Sequence, residues 1–183
     1  MSTARDHAAE LLLAFDKSGG FVREPLAERR TKLTDPRERA LLTELVYGSI
    51  RRRATLDAIL ARYTRRPLAA LHTAVRGALR LGLYQVLFLD RVPAHAAVDH
   101  AVGWARNRGG AKRAGFVNGV LRGVLRGIAG RATGPMKPRR DVPRADGACV
   151  RFRRDVFADP ARAEAAHLGQ RWSMPTWLVE RWI

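Results

Sequence analysis

LAALHTAVRGALRLGLYQVLFLD runs from Leu68 to Asp90, directly behind the punctuation of Pro67. Leu71, Val75, Leu79, Leu83, Val86 and Leu87 recur at helical spacing, and the stretch reads as a helix that is apolar on most sides. Such a helix belongs at the centre of a bundle rather than on its surface. Its longest unbroken apolar run, Leu81 to Leu89, lies between Arg80 and Asp90 and is too short to cross a bilayer.

Working outward, the neighbouring segments are helical too. Near the N-terminus Thr3 is a cap with Asp6 three residues on, Ala8, Leu11, Leu12 and Phe15 share one face, and Gly19-Gly20 ends the helix. FVREPLAERRTKLT, residues 21–34, reads as a polar loop. The next start signal is the strongest in the chain: Asp35 caps, Pro36 takes the first helical position, and Glu38 completes a capping box. Leu42, Leu45, Val46 and Ile50 form one apolar stripe, Leu56, Ile59, Leu60 and Tyr63 a second, and Arg51, Arg52 and Arg53 stand between them. Pro93 opens a further helix through Val98, Val102 and Ala105, which NRGG breaks. These periods predict an all-α bundle.

From Ile128 to Ala148 the composition turns to Pro, Gly and Arg without an apolar period, which reads as a loop or linker, and CVRFRRDVF after it suits a short extended segment. Two short helices are expected about Pro175. Their apolar face, Trp177, Leu178 and Trp182, reaches the last residues without a polar cap, the pattern of an interrupted chain. The expected division is a helical domain over 1–130, a basic Pro/Gly-rich linker over 131–160 and a short helical segment over 161–183.

The 183 residues carry 34 Lys and Arg against 17 Asp and Glu, a formal charge of +17, with 46% hydrophobic residues to build a core. Self-repulsion of that size opposes compaction, so a polyanionic partner is the natural inference, with an arginine-rich proteome as the competing explanation. The single Cys149 excludes a disulfide framework and a multi-cysteine zinc site. His7, His72, His95, His100 and His167 fall in no ligand spacing, so no metal is expected. Asp6 and Glu10 contradict a signal peptide, and a cytoplasmic location is expected.

KRAGFVNGVLRGVLRG, Lys112 to Gly127, holds four basic residues, four glycines and no acid. On a helical wheel Phe116, Val117, Val120, Leu121, Val124 and Leu125 make a buried wall, while Lys112, Arg122 and Arg126 lie opposite with Gly115, Gly119 and Gly123 among them. Glycines every fourth residue suggest close approach to the backbone, by a neighbouring helix or by a phosphate. Gly103 to Gly130 contains six basic residues and no acid, so the stripe lacks internal pairing and RNA phosphate would supply it; a solvated basic face is the alternative. Asn118 either reads a base edge or serves a structural hydrogen bond. The candidate RNA-binding residues are therefore Arg37, Arg39, Arg51, Arg52, Arg53, Lys112, Arg113, Asn118, Arg122 and Arg126.

RERALLTELVYGSIRRRATLDAIL, LRLGLYQVLFLDRVPAHAAVDHAV and GFVNGVLRGVLR resemble, in order and spacing, the NusB-like RNA-binding domain. The closer likeness is to the version that begins Sun-type (RsmB) 16S rRNA cytosine-C5 methyltransferases, and it covers roughly Ala4 to Gly127. SMPTWLVERW resembles the segment leading into their methyltransferase domain, with Met174 where His is usual. The resemblance implies a NusB-like bundle of about seven helices in two sub-bundles. It further implies binding to RNA, specifically 16S rRNA, and a methyltransferase domain in cis or trans. It places the S-adenosylmethionine site and the nucleophilic cysteine outside these residues, leaving no catalytic residue here. A free-standing NusB-type antitermination factor that pairs with NusE is the alternative, as is a protein–protein bundle without an RNA role.

Overall fold

The computed structural model describes residues 3–183. Seven helices come first: α1 (Ala4–Ser18), α2 (Arg23–Thr31), α3 (Pro36–Arg51), α4 (Arg53–Ala61), α5 (Thr73–Phe88), α6 (Ala94–Asn107) and α7 (Gly110–Gly127). A single 3-10 turn, Leu68–Ala70, precedes α5. Three strands follow, β1 (Ile128–Ala132), β2 (Asp141–Pro143) and β3 (Cys149–Phe152), then α8 (Glu164–Trp172) and α9 (Thr176–Val179).

The apolar α5 is the axis, as its sequence requires. It packs against α1, α3 and α4 on one side and against α6 and α7 on the other. Leu79, Leu83 and Leu87 are completely buried along it. Close approach depends on glycine at two points. A Cβ on Gly82 would lie 2.9 Å from Leu121 and 3.1 Å from Ala101, and one on Gly48 would fall 2.0 Å from the Tyr84 hydroxyl. The latter site lets the Tyr84 ring cross α3 and hydrogen-bond to Glu44.

One cation sits inside this apolar centre. Arg80, on α5, grips Asp57 of α4 through Nε and Nη2, both at 2.7 Å, and donates Nη1 to Asp16 of α1 at 2.6 Å. Burial opposes the charge of Arg80, but the two carboxylates outweigh it and raise its pKa. The side chain thereby ties three helices at a single point.

Local signals work as read at α1, where Thr3 and Asp6 form a reciprocal capping box and Gly19 closes the helix in the left-handed conformation. Asp35 also caps α3, through the Arg37 N–H. Glu38, however, does not complete a capping box; its Oε2 accepts the Ala4 N–H of α1 at 2.8 Å, so it serves a neighbouring helix start. The polar segment read as a loop over 21–34 contains α2, which has one buried apolar residue, Leu26, and so little periodicity to detect.

The stretch read as irregular from Ile128 to Ala148 carries two of the strands. β3 lies between β1 and β2, antiparallel to both, with Val142 opposite Val150 and a bulge between Ile128 and Gly130. Val142, Val150, Phe152, Val156 and Phe157 join the core of the helices. Asp141 holds the sheet together. Its fully buried carboxylate accepts Arg151 Nε at 2.8 Å, Arg151 Nη2 at 2.7 Å and the Lys137 N–H at 2.7 Å. Asp90, in the loop before α6, accepts both Arg144 and Arg131 and so fastens the sheet to the bundle. The tail is fastened separately: Ser173 Oγ accepts the Ala54 N–H at 2.9 Å, and the Arg171 carbonyl accepts the Thr55 hydroxyl at 3.3 Å.

Two predictions follow from these buried ions. Replacing Arg80 by Met leaves Asp16 and Asp57 without their main partner and should cost about 3 kcal/mol in urea unfolding, with Arg80→Lys recovering only part because it lacks the fork. For Asp141, burial alone would raise the pKa, but the Arg151 and Lys137 donors outweigh it and lower it. Its contribution is therefore full above the ordinary carboxylate value and is lost as pH falls through the lower folded value. The stability gap between wild type and Asp141→Asn should be full near pH 6 and close progressively below about pH 4.

Candidate nucleic-acid interface

α7 supplies the centre of the interface. Its apolar residues Val117, Val120, Leu121 and Val124 are buried against α5 and α6, which turns the rest of the helix outward. Phe116, expected in the buried wall, is 38% exposed. The glycines divide into two pairs with different neighbours. Gly123 and Gly127 make room for Tyr63: a Cβ on Gly127 would lie 1.8 Å from the Tyr63 hydroxyl and one on Gly123 3.6 Å from its ring. Gly115 and Gly119 face open space, with nothing within 4 Å of a Cβ at either. Among the described residues no neighbouring helix covers these two.

The open side of Gly115 and Gly119 is a groove. One hollow of about 600 Å³ is lined by Tyr63, Arg65, Arg66, Gly115, Phe116, Gly119 and Val120. A second, of about 380 Å³, adjoins it at Arg66 and Phe116 and is lined further by Leu71, His72, Val75, Lys112 and Arg113. Every charged residue lining the two hollows is cationic. Tyr63 is backed by the Arg154 guanidinium, 3.8 Å from the ring centroid, and Arg154 in turn donates to the Arg62 carbonyl at 2.7 Å. The result is a concave strip with aromatic and bare-backbone floor and cationic rims.

Of the residues singled out from the sequence, Lys112 and Arg113 lie in this groove. Arg113 also donates to the Arg108 carbonyl at 2.8 Å, which folds it over Gly109. Arg122 and Arg126 line a separate hollow with His95 and Asp99 of α6. Asn118 makes the structural bond: its Oδ1 accepts Arg122 Nε at 2.9 Å and orients that arginine. Arg51 and Arg52 border a third pocket, against α5 and the β2–β3 turn. Arg53 points elsewhere, to Asp16 at 3.5 Å. Arg39 reaches the Leu33 carbonyl at 3.4 Å, and Arg37 is exposed at the start of α3. Among the described residues, Arg53 is the one candidate within 4.0 Å of a carboxylate. The sequence reading missed Tyr63, Arg65, Arg66 and Arg154. The signal was present: between Asp57 and Asp90 the chain has no acid, and Arg65-Arg66 falls just ahead of Pro67.

Cys149 does not fit the part of a nucleophile. Its thiol is buried and donates to the Ala132 carbonyl at 3.5 Å, and burial together with the nearby Asp141 pushes its pKa up, the reverse of activation. Among the described residues no three His, Cys, Asp or Glu side chains converge as a metal site, and no helix is long and apolar enough to cross a membrane.

The model of the NusB family matches residues 2–126, which spans α1 to α7. The chain belongs to the NusB family. This NusB-family chain is also 32% identical, over 99% of its length, to a probable ribosomal RNA small subunit methyltransferase B of Bacillus subtilis, of which it spans 35%. Among solved structures it is similar to antitermination factor NusB in a complex with NusE and double-stranded RNA, with TM-score 0.62, 25% identity and coverage of 67% of this chain and 93% of that one. A second, PH0851, matches the fold over 99% of this chain and 35% of its own at TM-score 0.60 and 13% identity. Homology to the methyltransferase thus runs through the sheet and tail, while the NusB likeness is to the helical part.

The two pairs of glycines should respond differently to a methyl group. Gly115→Ala and Gly119→Ala should each leave stability unchanged or raise it by up to about 1 kcal/mol, since alanine favours the helix and meets nothing. Gly127→Ala must push Tyr63 aside and should destabilise by about 1–3 kcal/mol in the same urea titration.

Proposed function

We propose that this chain is the RNA-binding module of a ribosomal RNA small subunit methyltransferase, holding the 16S rRNA substrate for a catalytic domain that lies outside these residues. The observation that carries the reading is the groove between Tyr63–Arg66 and α7, cationic at every charged position and floored by Phe116, Tyr63 and exposed backbone. Phosphates need only positive charge within reach, and unpaired bases need aromatic faces; the groove offers both to a single-stranded segment. Bare glycines at 115 and 119 let a sugar–phosphate strand lie against the helix.

Homology over 99% of the chain to a methyltransferase supports the larger assembly. So do Trp172 on α8, Trp177 on α9 and Trp182 in the turn after it, which stand 48%, 61% and 68% exposed and suit a partner domain in cis or trans. On this reading S-adenosylmethionine and the attacking cysteine would belong to that domain, and Cys149, buried against the Ala132 carbonyl, would have no part in the attack. A second reading is a free-standing antitermination factor that pairs with NusE, supported by the similarity to the NusB–NusE–RNA complex. It leaves the sheet and tail without a role.

Fluorescence anisotropy on 16S rRNA fragments tests the module. The triple variant Arg65→Glu, Arg66→Glu, Lys112→Glu should weaken binding by at least about thirtyfold at roughly 0.15 M salt and flatten the salt dependence. Phe116→Ala should cost about 1–3 kcal/mol with an unchanged salt slope. Unaltered affinity in both would reject the groove. Methyl transfer by this chain alone would reject the non-catalytic assignment, and tight capture of NusE without RNA preference would favour the second reading.

A further inference from the structure

We infer that Arg51 and Arg52 form a second phosphodiester seat for RNA, at the seam between the helical bundle and the β2–β3 turn. The inference rests on the RNA-binding reading above but uses none of the groove residues. The pocket holds about 280 Å³ and is bounded by the end of α3, the end of α5 and the turn Arg144–Asp146.

Three carboxylates border the pocket, and each is already engaged. Glu44 accepts the Tyr84 hydroxyl. Asp90 accepts Arg144 at 2.8 and 3.0 Å, and Arg131 as well. Asp146 accepts the Ala148 N–H at 3.1 Å within its own turn, with Arg144 Nε at 3.5 Å. Arg144, the third cation, is committed to Asp90 and to the Leu87 carbonyl. Arg51 and Arg52 are left with no carboxylate within 4.0 Å among the described residues. Arg52 is half-buried, its guanidinium 5.1 Å from the centroid of the Phe88 ring, which fixes it toward the pocket. The carbonyl end of α3 favours the two charges without neutralising them. Two sequence-adjacent arginines without a carboxylate partner, one of them held against an aromatic ring at the mouth of a pocket, are the donor type that binds a phosphate through charge-assisted hydrogen bonds. RNA is the committed source, since a chain carrying +17 meets a polyanion in preference to a lone ion.

The pocket's outer wall, Arg144 to Asp146, lies beyond the residues that match the NusB family model. The seat is therefore built jointly by the family bundle and the hairpin that follows it in this chain.

The experiment uses the full chain and the same rRNA fragments. Arg51→Gln/Arg52→Gln should weaken binding on the order of tenfold and reduce the log–log salt slope by about two. Ala145→Trp fills the pocket from the exposed turn without changing charge, and it should weaken binding comparably. Arg23→Gln/Arg30→Gln on α2 removes the same charge elsewhere and should have a smaller effect. If Ala145→Trp binds as wild type and the two arginine pairs weaken binding equally, the seat is rejected in favour of diffuse attraction. Inorganic phosphate separates the sources: an Arg52 Nε–H resonance that shifts with phosphate in wild type, alongside RNA affinity indifferent to Ala145→Trp, would make this a site for small phosphates and overturn the RNA assignment. Loss of RNA binding by the groove variant with this pocket inert would leave the groove reading standing alone; wild type that binds no RNA would remove both.

Discussion

The fold turns on Arg80. An axial helix of leucines can be packed in more than one rotation, because apolar contact is non-directional. The fork of one guanidinium across Asp57 and Asp16 fixes α5 in rotation and height against α1 and α4 at the same time. Desolvating that ion pair contributes little net stability compared with an apolar substitute, so its value lies in selecting one arrangement of the helices. The groove and the seam pocket both inherit their shape from that choice, since Leu71 and Val75 at one end of α5 and Tyr84 and Phe88 at the other line them.

Charge in this protein is partitioned rather than spread. Carboxylates are spent on assembly: Asp16 and Asp57 on the bundle, Asp90 and Asp141 on the sheet, Asp155 and Asp159 on the segment before α8 through Arg139 and Arg140. The hollows beside Gly115, Phe116 and Arg65-Arg66 are left with cationic side chains as their only charged lining. An arginine-rich proteome would add basic residues without leaving acids out of particular hollows. Composition sets the total, but it does not arrange a cationic rim around Phe116.

Much of this was legible in the residues. The period of α5, the caps Thr3 and Asp35 and the breaks at Gly19, Pro93 and Gly109 yield an all-helical bundle with the correct centre. Arg80 was hidden inside that same apolar pattern, because nothing local tells a buried arginine from one at a helix boundary. β3 falls within the segment read as extended, but β1 and β2 escaped because they are five and three residues long and β2 ends in Pro143, which an edge strand tolerates and a pattern search discounts. α2 escaped because it turns a single leucine inward. At the candidate site the acid-free stretches were visible, but the pairing of Tyr63–Arg66 with α7 was not, since 50 or so residues of chain separate them and only the packed bundle brings them together. The repeat of glycines was visible as well, yet its two halves serve different purposes that the wheel alone does not separate.

Ser173 fastens the tail to the start of α4. It is the only described non-glycine residue in the left-handed conformation, with φ of 58°, and its hydroxyl oxygen accepts the Ala54 N–H at the beginning of α4. A helix is ordinarily finished by a side chain a residue or two before it; here the finishing atom comes from 119 positions downstream. The tail is thus joined directly to the joint that carries Arg51 to Arg53, by a bond that does not pass through the leucine interior.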